Sequence, residues 1–234
     1  MTTKFTTKTS ITLQWAPSSS EVVPVTGYIL EINDFTETLS SRMLSDIMTG
    51  NWFVALDASG HPEITSTSIT GLTTGKEYNF RYKSINFNGE SDYSVVYSQY
   101  ACVNPTLPSS PHAVTVTNGA IRISWIAPID NGGCEITGYV IKRNDGQGGN
   151  IFTSVHSAQT SSHPEITEFT VTDLPSVSVV QIKFIISVLT QFNPTIGVDS
   201  LPSDTFLVAD IPSAPLNQPS SGSSTGANTL DIII

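Results

Sequence analysis

Apolar and polar side chains alternate along several short stretches of the chain. The alternation runs through residues 11–15, 78–82, 121–125 and 182–186. In the first stretch, Ile11, Leu13 and Trp15 are separated by polar Thr12 and Gln14. A period of two places alternate side chains on one face of a β-strand, so these stretches predict strands with one buried face.

Turn signals lie between the alternating stretches. The dipeptide "NG" begins at residues 88, 118 and 131, and "NDGQGG" occupies 144–149. Such Gly- and Asn-rich segments are typical of tight turns between antiparallel strands. Helical periodicity is confined to "TLSSRMLSDIM" at 38–48, which predicts either a short helix or an irregular strand. The pattern as a whole therefore predicts an all-β protein.

The sequence also repeats itself, with four motifs of the first half returning in the second. The matched pairs are "SITLQWAP" at 10–17 with "AIRISWIAP" at 120–128, "PVTGYILEI" at 24–32 with "EITGYVIKR" at 135–143, "GHPEITSTSITGL" at 60–72 with "SHPEITEFTVTDL" at 162–174, and "LPSSP" at 107–111 with "IPSAP" at 211–215. Two copies of roughly 100 residues therefore follow one another. We predict one domain over 1–106, a second over 107–212, and a Ser/Gly-rich spacer with a terminal strand over 213–234.

These motifs resemble the fibronectin type III family. The resemblance lies in the inward Trp followed by "AP", the "TGY" that opens the next strand, and "ITGL" followed by "GKEYNF". It implies two β-sandwiches in tandem, with Trp15 and Trp125 as core anchors. It also places Tyr78 at the family's tyrosine corner, whereas the second copy has Val180 at the matching position and must lack that hydroxyl.

Composition and charge narrow the range of partners. The chain carries a net charge of −10, with 13% charged and 38% hydrophobic residues. No basic patch is available for nucleic acid, and no run of about 20 apolar residues could insert into a membrane. The "NPT" segments at Asn104 and Asn193 contain the proline that blocks N-glycosylation, while the Ser/Thr-rich loops could carry O-linked glycans.

The sequence contains no motif for catalysis or for cofactor binding. It lacks a G-x-S-x-G nucleophile elbow and a Gly-rich phosphate loop before a helix. His61 and His163 lie in matched "HPEIT" segments, which we interpret as turns into strands rather than as metal sites. We therefore expect a protein that is not an enzyme, with no catalytic residue, cofactor or metal.

The two cysteines permit a geometric prediction. Cys102 lies just beyond the last strand of the first copy, and Cys134 lies in the loop between the second and third strands of the second copy. In an up-and-down sandwich that loop lies at the pole facing the first copy. Two interpretations stay open: an interdomain disulfide, or two isolated apolar thiols.

The chain ends in a strand-like segment after a Gly/Ser spacer. Its apolar residues are Leu230, Ile232, Ile233 and Ile234. One interpretation is the start of a third copy. The other is a donor strand that adds to a sandwich of the next molecule, which would build a head-to-tail homopolymer.

From these observations we predict a non-enzymatic structural protein that forms an extracellular or cell-surface fibre by self-association. The alternatives are a cell-surface adhesion or receptor ectodomain that binds other surface proteins, a ligand-binding module, an accessory domain of a carbohydrate-active enzyme, and a cytoplasmic or ciliary scaffold. The ligand-binding alternative requires an exposed aromatic or charged patch on the loops near 86–92 or 129–135.

Overall fold

The computed structural model is an all-β structure, with one short helical turn among the residues it describes. It describes residues 1–17, 23–33, 52–117, 119–155, 157–172, 174, 179–209, 220–221 and 232–233. The helix or strand predicted at 38–48 lies outside the described residues. The predicted fold class, two sandwiches in tandem, is confirmed.

The first sandwich contains eight described strands. They are β1 (Thr2–Thr6), β2 (Ser10–Gln14), β3 (Val25–Asn33), β4 (Phe53–Asp57), β5 (Ser66–Thr70), β6 (Glu77–Asn86), β7 (Gly89–Glu90) and β8 (Tyr97–Tyr100). One sheet has the order β1-β2-β5, and the other has the order β4-β3-β6, with β7 and β8 both paired to β6. All the pairings are antiparallel, as expected for strands joined by short turns.

The core of the first sandwich follows the alternation seen in the sequence. Ile11 and Leu13 are fully buried on β2, and their polar neighbours face outward. Trp15 is buried with them, and its ring meets Tyr28 edge-on at a centroid distance of 5.9 Å. An aromatic pair of this geometry contributes about 0.5–1.5 kcal/mol beyond the area it buries. Trp15 therefore packs in the core between the two sheets.

The second sandwich repeats this plan with ten described elements. They are β9 (His112–Val116), β10 (Ile121–Ser124), β11 (Ile136–Arg143), β12 (Thr153–Val155), α1 (Ser157–Thr160), β13 (Glu168–Val171), β14 (Val179–Ile182), β15 (Phe184–Thr190), β16 (Val198–Asp199) and β17 (Phe206–Ala209). The sheets have the orders β13-β10-β9 and β12-β11-β15-β16, and β14 pairs with β17. The strand that alternates at 182–186 is thus divided at Lys183, because β14 and β15 pair with different neighbours.

The second core reproduces the aromatic geometry of the first. Trp125 is buried and meets Tyr139 edge-on at 5.5 Å. Every residue of β15, "FIISVLT", is buried, which is typical of a strand that is covered on both faces. A small two-stranded element, β18 (Ser220–Ser221) with β19 (Ile232–Ile233), lies in the C-terminal segment.

The glycine of each "TGY" motif has a steric reason. A side chain on Gly27 would overlap the carbonyl of Ala58, and one on Gly138 would overlap the carbonyl of Ser161. The pairing register also shifts just before each glycine, as it does at a β-bulge. Glycine is therefore needed because another part of the backbone approaches closely there.

Tyr78 makes the hydrogen bond expected of a tyrosine corner. Its buried ring brings the hydroxyl oxygen within 2.8 Å of the backbone nitrogen of Thr73, which donates to it. In the second sandwich the backbone of Val180 pairs with Val208. Only the first sandwich has a tyrosine at this position.

Candidate functional site: the joint between the sandwiches

Among the described residues, the two sandwiches and the linker meet through four loops. Residues 7–9 and 71–76 of the first sandwich contact the loop 125–135 of the second, and residues 191–197 of the second contact the linker. Because successive strands run in opposite directions, these loops lie at the facing poles of the two sandwiches. We call these loops and the linker 101–111 the joint.

A disulfide crosses the joint. Cys102 and Cys134 are bonded to one another, with their Cα atoms 5.7 Å apart, and both are almost completely buried. Cys102 follows the end of β8, and Cys134 lies two residues before β11 begins. The bridge ties the end of the first sandwich to the entry of a central strand of the second.

An ion pair lies beside the disulfide. The Lys8 ammonium donates to both carboxylate oxygens of Asp130, at 2.9 and 2.7 Å, and the Gly132 N–H donates to the same carboxylate at 2.9 Å. First the Lys8 hydrogen bond and then the Gly132 N–H lower the pKa of Asp130 from its ordinary 3.8. The folded state thus favours the charged carboxylate. The contribution of this carboxylate to the stability of the folded state is present when the pH is above the ordinary pKa. It is lost as the pH falls through the lowered pKa.

The linker is hydrogen-bonded along its length to the loop 125–135. The Val103 N–H donates to the Gly132 carbonyl at 3.0 Å, and the Thr106 N–H donates to the Asp130 carbonyl at 2.8 Å. Further along the linker, the Ser109 N–H donates to the Ile126 carbonyl at 3.0 Å. Pro105, Pro108 and Pro111 of the linker are all buried. A linker with satisfied backbone groups and buried prolines is an ordered part of the joint rather than a flexible tether.

Gly132 is required where the loop meets the linker. Its φ of +75° is in the left-handed region, and an added Cβ would overlap the carbonyl of Val103. The "NGG" of this loop, identified in the sequence as a turn, thus also lets the two backbones approach one another.

The two "NPT" segments meet at the joint. The Asn193 side-chain amide donates to the side-chain oxygen of Asn104. The loop that holds Asn193 is itself joined to the loop 125–135, because the Gln191 N–H donates to the Glu135 carbonyl at 3.1 Å. Two loops of the second sandwich and the linker are therefore connected.

The C-terminal strand is paired within its own chain. In antiparallel register, Ser220 is opposite Ile233 and Ser221 is opposite Ile232. Leu230 and Ile234 lie outside the described residues. The partner of β19 in this structure is therefore the chain's own spacer, and its donation to a neighbouring molecule stays a prediction.

The sequence analysis missed a stack of side chains on the first sandwich. The Arg81 guanidinium lies between the rings of Trp52 and Tyr93, at 4.2 and 3.8 Å from their centroids. Glu31 accepts from Arg81 at 2.8 Å and from the Tyr93 hydroxyl at 2.7 Å. These residues are far apart in the chain and follow no motif, so no sequence signal pointed to them.

A second missed feature did have a sequence signal, a repeated S-x-x-S. In the first copy, the hydroxyls of Ser91 and Ser94 accept from backbone N–H groups of β6 at 3.0 and 3.1 Å. Ser200 and Ser203 do the same for β15, at 3.0 and 2.9 Å. In both sandwiches, serine hydroxyls thus accept hydrogen bonds from β6 and β15 that the backbone of a longer neighbouring strand would otherwise accept.

The matched histidines contact carboxylates two residues along the chain. His61 Nδ1 is 3.0 Å from Glu63, and His163 Nδ1 is 2.8 Å from Glu165. Across the described ranges, no group of three or more His, Cys, Asp or Glu side chains is placed to hold a metal ion. The same ranges contain no helix long and apolar enough to cross a membrane.

The fold and the joint together define a class of protein, that of tandem β-sandwich modules. The family model "Fibronectin type III domain" matches residues 1–100. The first sandwich therefore matches the fibronectin type III family, and the second sandwich repeats its plan of strands.

Several known proteins are similar to this chain. Fibronectin type-III domain-containing protein 3A of Homo sapiens is 27% identical over 158 residues, which cover 66% of this chain and 12% of that protein. Protein sidekick-1 of Mus musculus is 26% identical over 213 residues, which cover 88% of this chain and 9% of that protein. The chain thus spans only a small part of these relatives. A solved two-domain fibronectin type III segment of chicken tenascin has 16% identity and a TM-score of 0.39, and the match covers 89% of this chain and 97% of that one.

Proposed function

We propose that the chain is a non-enzymatic structural module that holds two sandwiches at a fixed angle in an extracellular or cell-surface protein. The observation that carries this proposal is the buried disulfide across the joint. Structural disulfides persist in oxidising compartments, which supports a location outside the cytosol.

The surroundings of the disulfide support a stiff joint. A bridge by itself leaves torsional freedom about two Cα atoms 5.7 Å apart. The Lys8–Asp130 ion pair and the hydrogen bonds of Val103 and Thr106 restrict that freedom from other directions. The ion pair is exposed and adds little energy alone, so its value lies in orientation. Several weak contacts around one covalent contact fix the angle between the sandwiches.

The stiff joint is tested by the relative orientation of the two sandwiches in solution. Residual dipolar couplings of the native chain should fit one orientation with a single alignment tensor. In the variant Cys102→Ser/Cys134→Ser, the two sandwiches should need separate tensors, because the remaining contacts are weak. A native chain whose sandwiches already need separate tensors would refute the stiff module.

Head-to-tail assembly through the C-terminal strand is the finer part of this proposal. Among the described residues, β19 pairs with its own spacer at two positions. Exchanging this pairing for a longer ladder on another molecule would replace the hydrogen bonds that are lost. Deleting residues 229–234 should therefore abolish concentration-dependent polymers in sedimentation velocity. A native chain that stays monomeric at high concentration would remove this part and leave the stiff module intact.

Ligand binding is a second candidate, and one observation favours it. Phe87, in the loop between β6 and β7, is 92% exposed. An aromatic side chain held out on a tight turn is suited to insert into a pocket of a partner. Cells that adhere to surfaces coated with the native chain should lose adhesion to Phe87→Ala. They should retain it to Phe5→Ala, which removes an exposed phenylalanine on β1. Equal adhesion to both variants would exclude this loop.

A further inference from the structure

The disulfide creates a short covalent path through the chain. Cys102 and Cys134 are separated by 32 residues in sequence, but the bridge joins them directly. The loop that it closes contains the linker, β9 and β10. When a chain is pulled from its two ends, tension follows covalent bonds and takes the shortest connection.

We propose that this bridge is a mechanical bypass. Tension passes from the first sandwich to the second through the two sulfur atoms, and the linker, β9 and β10 carry none of it. This inference rests on the proposed structural role, because a load-bearing path matters only in a protein that is pulled.

The first consequence of the bypass is that the contacts of the joint are protected from tension. Without the bridge, a pull would act on the Lys8–Asp130 ion pair and on the loop contacts between the sandwiches, which are individually weak. With the bridge, the Cα atoms of Cys102 and Cys134 stay 5.7 Å apart, so the joint is not pulled open. The angle between the sandwiches is therefore kept under load.

The bypass also changes the strand at which the second sandwich is loaded. Without the bridge, the pull would enter at β9, which lies at the edge of its sheet and pairs with β10. With the bridge, the pull enters at β11, whose first residue lies two positions after Cys134. That strand is paired on both sides, with β12 and with β15. Two hydrogen-bonded ladders then resist the pull instead of one.

A single-molecule force experiment on the full chain, held at both ends, measures this directly. Unfolding of the bridged second sandwich should release roughly 110 Å less chain than in the Cys102→Ser/Cys134→Ser variant, because 32 residues stay inside the closed loop. The variant should also unfold this sandwich at a lower force. The first sandwich releases the same length in both proteins and is the internal control. Equal unfolding forces for the second sandwich in the two proteins would overturn the bypass, and so would equal lengths, because the bridge would then be absent.

A reducing agent provides a test that needs no variant. Both sulfurs are buried in the folded protein, so a thiolate such as that of dithiothreitol reaches them after unfolding. The attacking sulfur then forms a mixed disulfide with one cysteine, the bridge breaks, and the other cysteine leaves as a thiolate. The native chain under constant force should therefore show an added step of roughly 110 Å in dithiothreitol after a sandwich has opened. Absence of that step would contradict the bypass.

The bypass and the stiff joint fail in different ways. Sandwiches that reorient freely while the bridge is intact would refute the stiff module and leave the force result unchanged. An unfolding force of the second sandwich that is the same with and without the bridge would refute the bypass and leave the stiff module intact.

Discussion

Among individual residues, Tyr78 distinguishes the two copies most clearly. Its hydroxyl accepts the Thr73 N–H at 2.8 Å, at the turn that leads into β6. That turn belongs to the loop 71–76, which faces the second sandwich. The second copy has valine at the matching position and makes no such bond there. The hydroxyl therefore braces the side of the joint that the first sandwich provides.

Removing that hydroxyl should loosen the turn. Tyr78→Phe leaves the partly buried Thr73 N–H without its acceptor, which should lower the free energy of unfolding of the first sandwich by about 1–3 kcal/mol. Amide hydrogen exchange followed by NMR should show faster exchange at Thr73. The control is Tyr139→Phe in the second sandwich, a buried tyrosine whose hydroxyl makes no hydrogen bond to a backbone N–H among the described residues. Unchanged protection at Thr73 would mean that the hydroxyl does not hold the turn.

Single residues could be predicted from the sequence where a repeated motif fixes their position in the fold. Trp15 and Trp125 were predicted from one repeated pattern, and both are buried against a tyrosine. The Arg81 stack was not predictable in this way. It depends on Trp52 and Tyr93 arriving at the two faces of one guanidinium from distant parts of the chain.

At the scale of elements, the loop 125–135 determines how the sandwiches meet. It carries Cys134, the Asp130 that pairs with Lys8, and the backbone groups that bind the linker. The sequence predicted a turn here from "NG", and the direction of the strands placed it at the correct pole. It could not predict the contacts with the linker, because these depend on the path of a segment that has no periodic pattern.

Gly132 should be the least replaceable residue of that loop. Gly132→Ala puts a side chain at a φ of +75° and against the Val103 carbonyl. Gly71→Ala is the matched control, because Gly71 has the same φ of +75° and open space around it. The left-handed conformation should cost about 1–2 kcal/mol in both variants. The overlap should be an additional cost in Gly132→Ala alone, which should also form less of the disulfide on refolding. Equal yields of disulfide in the two variants would contradict close packing at the joint.

For the whole molecule, the disulfide at the joint covalently connects the two sandwiches. Sequence repetition predicted two sandwiches, and the alternation predicted their cores. The boundaries at 106 and 212 stay predictions, since the linker merges into contacts with the second sandwich. The partner of the terminal isoleucines was not predictable. Their pattern predicts a strand, but a pattern does not identify the strand's partner.

The disulfide between Cys102 and Cys134 carries both the stiff joint and the bypass. Peptide mapping by mass spectrometry, without reduction, of the chain purified from an oxidising compartment tests it most directly. We expect one cross-linked peptide pair that contains both cysteines, and no free thiol in the folded protein. Two alkylated free cysteines in the same folded protein would contradict it.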